Sequence, residues 1–177
     1  MSVTNQQYTE IVEKCKHLFL KKATDYGTSW RVLRPISFTD QIYIKAFRIR
    51  NIQETGVQKI HDNIESEFIG IINYAIIGLI QLKLHNPIVE ELDNTQVEKL
   101  YDEQVRIVYN TMLNKNHDYG EAWRDMHPNS LTDLILVKLI RIKQIIFNDG
   151  KTLISEGIDA NLMDIMNYAI FSLILMY

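Results

Sequence analysis

The sequence predicts an all-α protein built from two tandem copies of one three-helix unit. Residues 22–52 align without a gap with residues 115–145, and 15 of these 31 positions are identical. Within each copy, apolar residues recur at steps of three and four, which is the period of an α-helix, and no useful stretch alternates as a strand would. A repeat of this length determines the architecture before any single residue is interpreted.

The first helix of each copy is predicted over about residues 8–22 and 101–115. The segment Asp-Tyr-Gly then ends the helix, because Gly27 and Gly120 suit a left-handed turn. Pro35 and Pro128 are expected in the loop that follows.

The second helix of each copy is predicted to begin at Ser37 and at Ser130. Each serine is followed three residues later by an acid, Asp40 or Asp133, which is the spacing of a capping box. In the second copy this helix is apolar nearly all round, which is typical of a helix in a protein interior.

The third helix of each copy is predicted over about residues 60–84 and 155–177. We therefore assign residues 1–88 to the first copy and residues 89–177 to the second. One copy alone is small and marginal in stability. The two are expected to pack face to face about a pseudo-twofold axis, as a homodimer would, in one compact unit.

Composition limits the classes of function. The chain has 177 residues with a net charge of −3, which argues against nucleic acid as a partner. Its single cysteine, Cys15, excludes an internal disulfide and a multi-cysteine zinc site. The two most apolar runs are short for membrane spans, so we expect buried helices and no membrane partner. With no signal peptide in the sequence, a cytoplasmic location is expected.

Two cations recur on the second helix of each copy. Lys45 and Arg48 in the first copy match Lys138 and Arg141 in the second, and a spacing of three places each pair on one helix face. Cations on an apolar helix are costly unless a negative group compensates them. They are expected either to clamp a phosphate or to form internal ion pairs, and the sequence leaves both open.

Acids gather on the third helix of the second copy. Glu156, Asp159 and Asp164 fall on one broad face together with Asn167. Carboxylates grouped beside a cleft are typical ligands of Mg²⁺, so these three acids are the predicted catalytic and metal-binding residues. A solvated acidic face at a helix N-terminus is the alternative. The first copy has Gly70 in place of Asp164 and is less suited to hold a metal.

An aromatic and charged segment follows the first helix of each copy and is a candidate for binding substrate. Aromatic faces beside an arginine suit a stacked base and a bound phosphate, although turn formation and packing would also explain these residues. The candidates are Asp25, Tyr26, Trp30 and Arg31 in the first copy and Asp118, Tyr119, Trp123 and Arg124 in the second.

Three motifs taken together resemble the nucleotide modification associated domain 1 family, and the resemblance occurs once per copy. The motifs are Lys-x-x-Asp-Tyr-Gly-x-x-Trp-Arg, Asp-x-x-x-x-Lys-x-x-Arg-Ile and Asp-x-x-Asn-Tyr-Ala. More distantly, the chain is similar to the MazG-like all-α pyrophosphohydrolases, which cleave nucleoside triphosphates with Mg²⁺ held by two acidic motifs. Glu156-x-x-Asp159 has the spacing of one motif, whereas Lys138-x-x-Arg141 stands where the other belongs.

The first resemblance implies a nucleotide-binding protein of nucleotide metabolism or modification. The more distant one implies, more specifically, a Mg²⁺-dependent pyrophosphohydrolase-like enzyme. The alternative is a non-catalytic helical interaction module whose repeated lysine, arginine and aspartate residues form a structural ion network. Whether two chains associate further as a homodimer is left open by the sequence.

Overall fold

The computed structural model describes residues 2–153 and 155–177, and no strand occurs among them, so the all-α prediction is confirmed. One short 3-10 helix lies at Ser29–Val32 and another at Ala122–Asp125. The six α-helices, three in each copy, are Val3–Tyr26 (α1), Pro35–Thr55 (α2), Ile64–Leu84 (α3), Asn94–Tyr119 (α4), Pro128–Phe147 (α5) and Ile158–Met176 (α6).

Helices α1 and α4 end at the Asp-Tyr-Gly segments, as predicted. Gly27 and Gly120 both have a φ of 61°, a value that favours glycine. Both helices begin earlier than predicted, because Ser2 and Asp93 cap them by accepting a hydrogen bond from a backbone N–H three residues later.

The predicted start of the second helix is wrong in both copies. Helices α2 and α5 begin at Pro35 and Pro128, where a loop is expected from the sequence, so Ser37 and Ser130 lie inside the first turn. Proline suits this position because a first-turn residue has no helical acceptor for its N–H. In α5 the cap is the side chain of His127, which accepts from the N–H of Asn129.

Helices α3 and α6 pack against each other at the centre of the protein, with α2 and α5 on one side of them. Helix α1 packs on α6 and α4 packs on α3, so the first helix of each copy reaches the other copy. Buried apolar residues of both copies therefore form one common core. By length and composition α3 and α6 could each cross a membrane, but about 67% of each apolar stretch is buried inside the described chain.

Two hydrogen bonds between the copies are reciprocal. The hydroxyl of Tyr8 donates to Asn167 Oδ1 at 2.8 Å, and the hydroxyl of Tyr101 donates to Asn73 Oδ1 at 2.9 Å. Tyr8 corresponds to Tyr101 in the repeat, and Asn73 corresponds to Asn167. Contacts exchanged in this way are those that a twofold relation between the copies requires.

Helices α2 and α5 are joined by a second reciprocal set of contacts. Lys143 pairs with Asp40 at 2.9 Å, and Arg50 pairs with Asp133 at 3.2 Å. Asp40 and Asp133 thus form ion pairs between the copies, and neither side chain caps its own helix.

The outer side of α2 and α5 is exposed, so the prediction that this helix lies in the interior is wrong. Ile44 and Phe47 are more than half exposed, and their counterparts Val137 and Ile140 are also exposed. The physical reason is the layering. Because α2 and α5 cover only one side of α3 and α6, their own far side has no helix to pack against.

Candidate functional site

The predicted metal ligands of the second copy are not gathered into one cluster. No group of three or more histidine, cysteine or acidic side chains suited to a metal occurs among the described residues. Asp164 is buried on α6, whereas Asp159 is exposed in the first turn of that helix and Glu156 is exposed just before it. This donor set does not fit Mg²⁺, which needs several oxygen ligands around one point.

Asp164 is instead held between two lysines. Its Oδ1 accepts from Lys115 Nζ at 2.5 Å, and its Oδ2 lies 2.9 Å from Lys138 Nζ. The Asp164 side chain is only 7% exposed, so this carboxylate already has two cationic partners in a nearly dry position. Partial burial lowers the pKa of Lys115, but the hydrogen bond and charge of Asp164 outweigh it and raise that pKa above its ordinary value.

In the first copy the acid that neutralises the repeated lysine comes from another position. Glu67 pairs with Arg48 at 2.8 Å and lies 3.7 Å from Lys45 Nζ. Glu67 corresponds to Asn161, and Gly70 corresponds to Asp164. Arg48 is therefore firmly held, whereas Lys45 has a longer ion pair and no carboxylate at the Gly70 position.

A cavity of about 480 Å³ opens beside Gly70 between α1, α2 and α3. Lys22 and Lys45 contribute two ammonium groups to its wall, and Lys22 forms no ion pair within residues 2–153 and 155–177. The stem of Lys45 lies over Gly70, since a Cβ built on that glycine would be 3.0 Å from Lys45 Cε. The wall also holds four aromatic side chains, Phe19, Tyr26, Trp30 and Tyr74, and two acids, Asp62 and Glu67.

Three of the residues predicted to bind substrate meet in this cavity: Tyr26, Trp30 and Lys45. Tyr26 is 71% exposed at the rim, and Trp30 packs on Phe19 with ring centroids 6.4 Å apart. Lys45 lies 5.8 Å above the ring of Tyr74, within the range of a cation–π contact. The arrangement offers flat apolar faces and two ammonium groups in one opening, with Glu67 3.7 Å from one of them.

The repeated arginine of the Trp-Arg segment serves internal contacts in both copies. Arg31 is 3% exposed, pairs with Glu90 at 2.9 Å and donates to the side-chain oxygen of Gln81. Arg124 donates to Thr4 Oγ1 at 2.5 Å and to Gln7 Oε1 at 2.8 Å. Each arginine therefore fastens its loop to neighbouring segments and does not point at the cavity beside Gly70.

Trp123 and Asn167 are also engaged inside the protein. Trp123 is 6% exposed, stacks on Phe171 at 4.1 Å and donates from Nε1 to Asn116 Oδ1. Asn167 is 4% exposed and accepts the hydrogen bond from Tyr8. Both side chains are removed from solvent, which leaves little access for a substrate.

The remaining candidates lie at the surface. Asp25, Asp118 and Tyr119 are exposed at the ends of α1 and α4, and Asp118 contacts His117. Arg141 is exposed and forms no ion pair with the described residues.

An open groove of about 950 Å³ lies between α5, the start of α6 and the segment that joins them. Lys138, Arg141 and Lys151 line it together with Glu156. It lacks aromatic walls, unlike the cavity beside Gly70, so it offers a cationic surface without a face for a base.

Sequence reasoning passes over three charged residues of these clusters, namely Lys22, Lys115 and Glu67. Lys22 and Lys115 are visible as identical positions of the repeat, and that identity is the signal that could have singled them out. Glu67 gives no such signal, because its counterpart is an asparagine. Gly70 suggests a lost metal ligand in the sequence, whereas in the structure it lines a cavity and the stem of Lys45 packs over it.

Comparison with known proteins agrees with the repeat. No curated protein and no solved structure matches the chain significantly. The family model described as nucleotide modification associated domain 1 matches twice, over residues 22–82 and 115–176. Because these two matches cover more than half of the chain, with one in each copy, the protein belongs to the nucleotide modification associated domain 1 family.

Proposed function

We propose that the protein binds a nucleotide in the first-copy cavity, the opening of about 480 Å³ beside Gly70. The observation that carries this proposal is the pair of ammonium groups, Lys22 and Lys45, beside four aromatic rings in one opening. The family description adds a nucleotide setting without naming an activity.

The phosphate and the base of a nucleotide each have a complementary group in the first-copy cavity. Lysine ammonium groups act as compact point charges that attract phosphate. Trp30 and Tyr26 offer ring faces on which a base can stack, which stabilises a bound base by about 1–3 kcal/mol. The volume lies within the range of roughly 300–1,000 Å³ that is usual for small-molecule sites.

The partners of Lys45 favour its use by a ligand. Arg48 holds Glu67 at 2.8 Å, so Glu67 remains compensated if Lys45 turns away from it. The 3.7 Å separation between Lys45 and Glu67 is a loose ion pair of modest strength. A phosphate can therefore recruit Lys45 without leaving a buried acid unpaired. We propose binding alone, since no group of three or more side chains suited to a metal occurs among the described residues.

The direct test is a thermal-shift and calorimetric screen with ribo- and deoxyribonucleoside mono-, di- and triphosphates, each with and without Mg²⁺. A ligand that binds only the native state raises the melting temperature. Lys22→Met is expected to weaken binding at least tenfold, and Lys21→Met on the same helix serves as the matched control, since Lys21 does not line the cavity. Failure of every nucleotide to bind, or equal binding by the two variants, would refute the proposal.

A second candidate is a non-catalytic helical module, favoured by the use of repeated charges in pairs that join the copies. If the protein is such a module, Lys45→Met should lower the melting temperature as much as Lys138→Met does. Neither variant should then differ from the wild type in nucleotide affinity. Nucleotide binding instead predicts that Lys45→Met mainly reduces affinity, while Lys138→Met mainly reduces stability because it leaves Asp164 with one partner fewer.

A further inference from the structure

The two copies differ at the centre of the polar cluster that the repeat preserves. In the second copy a carboxylate, from Asp164, lies between Lys115 and Lys138. In the first copy the equivalent lysines are Lys22 and Lys45, and the equivalent of Asp164 is Gly70. The same two cations thus hold a carboxylate between them in one copy, whereas in the other they line a cavity in which the nearest acid to Lys45 is Glu67, at 3.7 Å.

We infer that Asp164 substitutes for the anionic group of the ligand, so that the second copy is a closed form of the first-copy site. This inference rests on the proposed function and specifies which group of the ligand is bound, namely a phosphoryl group between Lys22 and Lys45. Its position would correspond to that of the Asp164 carboxylate between Lys115 and Lys138. The second copy then contains a latent phosphate site that removal of one side chain opens.

Distances in the second copy support the assignment. Each carboxylate oxygen of Asp164 contacts a different lysine, at 2.5 and 2.9 Å, which is the geometry of a charge-assisted contact to an oxyanion. Two oxygens of one phosphate would meet two ammonium groups in the same way. The Lys138 side chain is 13% exposed, so it would be left nearly buried without an anion if Asp164 were absent.

Glycine at position 70 is what admits an external anion in the first copy. The flexible side chain of Lys45 lies nearest to it, and a Cβ at this position would be 3.0 Å from Lys45 Cε and 3.3 Å from Lys45 Nζ. An aspartate introduced there would displace the stem and place its carboxylate against the Lys45 ammonium group. Gly70→Asp is therefore expected to close the first site as Asp164 closes the second.

Each copy contains one of the two tryptophans, so the sites can be observed separately. Trp30 lines the first-copy cavity, and Trp123 is its counterpart in the second copy. The indole N–H signals, assigned with Trp30→Phe and Trp123→Phe, are followed by NMR during titration of the intact protein with inorganic phosphate. Sodium chloride at matched ionic strength controls for screening.

In the wild-type protein, phosphate is expected to shift the Trp30 signal saturably and to leave Trp123 unchanged. Asp164→Gly should make Trp123 shift as well, with a dissociation constant within about tenfold of the first site. Gly70→Asp should abolish the Trp30 response. Asp159→Asn, which removes an exposed acid of the same helix, should behave like the wild type.

The outcomes separate the inference from the proposed function. The inference would be overturned if, in the folded Asp164→Gly variant, phosphate shifts the Trp30 signal but not the Trp123 signal. The first-copy site would then remain supported. If phosphate shifts neither indole signal in the wild-type protein, the proposed function itself is contradicted.

Asp164→Ala is measured in parallel, because alanine opens the same space with a better helix former. Phosphate should raise the melting temperature of either variant more than that of the wild type, and should refold a variant that is unfolded without it. Equal shifts in wild type and variants, or a variant that phosphate does not refold, would also overturn the inference.

Discussion

The acid beside the repeated lysine of the second helix comes from a different position in each copy. Glu67 pairs with Lys45 in the first copy, and its counterpart in the second copy is Asn161. Asp164 pairs with Lys138 in the second copy, and its counterpart in the first copy is Gly70. One helical turn separates these positions, so both acids approach the lysine from the same helix face. A carboxylate lowers the cost of placing a lysine on this helix face, and each copy supplies one from the position that its sequence allows.

Replacing Asp164 by asparagine is expected to destabilise the protein by about 2–3 kcal/mol, near the lower end of the cost of breaking a buried ion pair. Asparagine keeps the shape but leaves Lys138, whose side chain is 13% exposed, without a neutralising partner. The free energy of unfolding is measured by urea titration. Asp159→Asn is the control and should change stability by less than about 0.5 kcal/mol. Equal effects of the two substitutions would contradict the role given to Asp164.

Glu65 gives a prediction on the acid side of the pH range. Its hydrogen bond to Lys14, followed by the one to the Tyr177 hydroxyl, lowers the pKa of its carboxyl below 4.5. The unfolded state therefore binds the proton more readily, so this contribution to stability is complete above pH 4.5 and is lost as pH falls through the lowered native pKa.

Glu65→Gln should accordingly lower the melting temperature at neutral pH, and the difference from wild type should shrink as the pH falls below 4.5. Differential scanning calorimetry from pH 7 to pH 3 checks this. Glu10→Gln, which alters an exposed acid of α1, is the comparison variant. A difference between Glu65→Gln and wild type that stays constant across the range would show that the Lys14 pair contributes nothing.

At the scale of elements, the close approach of α3 and α6 depends on one small residue. A Cβ on Gly78 would lie 2.9 Å from Phe38 Cε1 and 3.0 Å from Leu162 Cδ1. Both neighbours are fully buried, so neither has room to move away. The site joins three helices, since Phe38 belongs to α2 and Leu162 to α6.

Gly78→Ala should therefore destabilise the protein by about 1–3 kcal/mol, because overpacking outweighs the better helix propensity of alanine. Ser172→Ala changes the equivalent position of α6 and is the matched control, with an expected cost below about 1 kcal/mol. Chemical denaturation of both variants provides the comparison. Stabilisation by Gly78→Ala would mean that α3 and α6 can separate to admit a methyl group.

The repeat predicts the number, order and type of the helices because its periodicity and its Asp-Tyr-Gly ends are local signals. Helix starts are predicted less well. The spacing Ser37-x-x-Asp40 matches a capping box, but Pro35 already lies in the first turn, and Asp40 is held by Lys143 of the other copy. A cap and an interhelical ion pair use the same residue type, and only the packing of α2 on α5 decides between them.

For the candidate site, local sequence identifies Lys45, Trp30 and Tyr26 because each recurs in the second copy. It fails for residues whose partners lie far along the chain. Asn167 accepts a hydrogen bond from Tyr8, 159 residues away, and Arg124 reaches Thr4, 120 residues away. A repeated polar residue therefore marks either a ligand contact or a contact between copies, and the pattern alone is the same for both.

The molecule as a whole is organised by contacts that are exchanged between its copies. Two hydrogen bonds join the first helix of each copy to the third helix of the other, one from Tyr8 to Asn167 and one from Tyr101 to Asn73. The pairing of α2 with α5 repeats this exchange through two ion pairs. Each copy thus completes the core of its neighbour, which explains why one common core includes residues of both.

This exchange predicts how separated copies behave. A fragment of residues 1–88 should not fold as a monomer, since α3 would lose the burial supplied by α6. At higher concentration two such fragments can pair, because Tyr8 of one can meet Asn73 of the other. That pairing would be imperfect, since Phe68 would replace the smaller Leu162 beside Gly78.

A mixture of fragments 1–88 and 89–177 should therefore form a one-to-one complex in preference to the paired 1–88 fragment. Light scattering coupled to size exclusion gives the stoichiometry, and far-ultraviolet circular dichroism at several concentrations gives the helix content. Helix content of 1–88 that rises with concentration, and rises further on addition of 89–177, is the expected result. A monomeric 1–88 fragment with a cooperative, concentration-independent melting transition would instead show that each copy holds a sufficient core of its own.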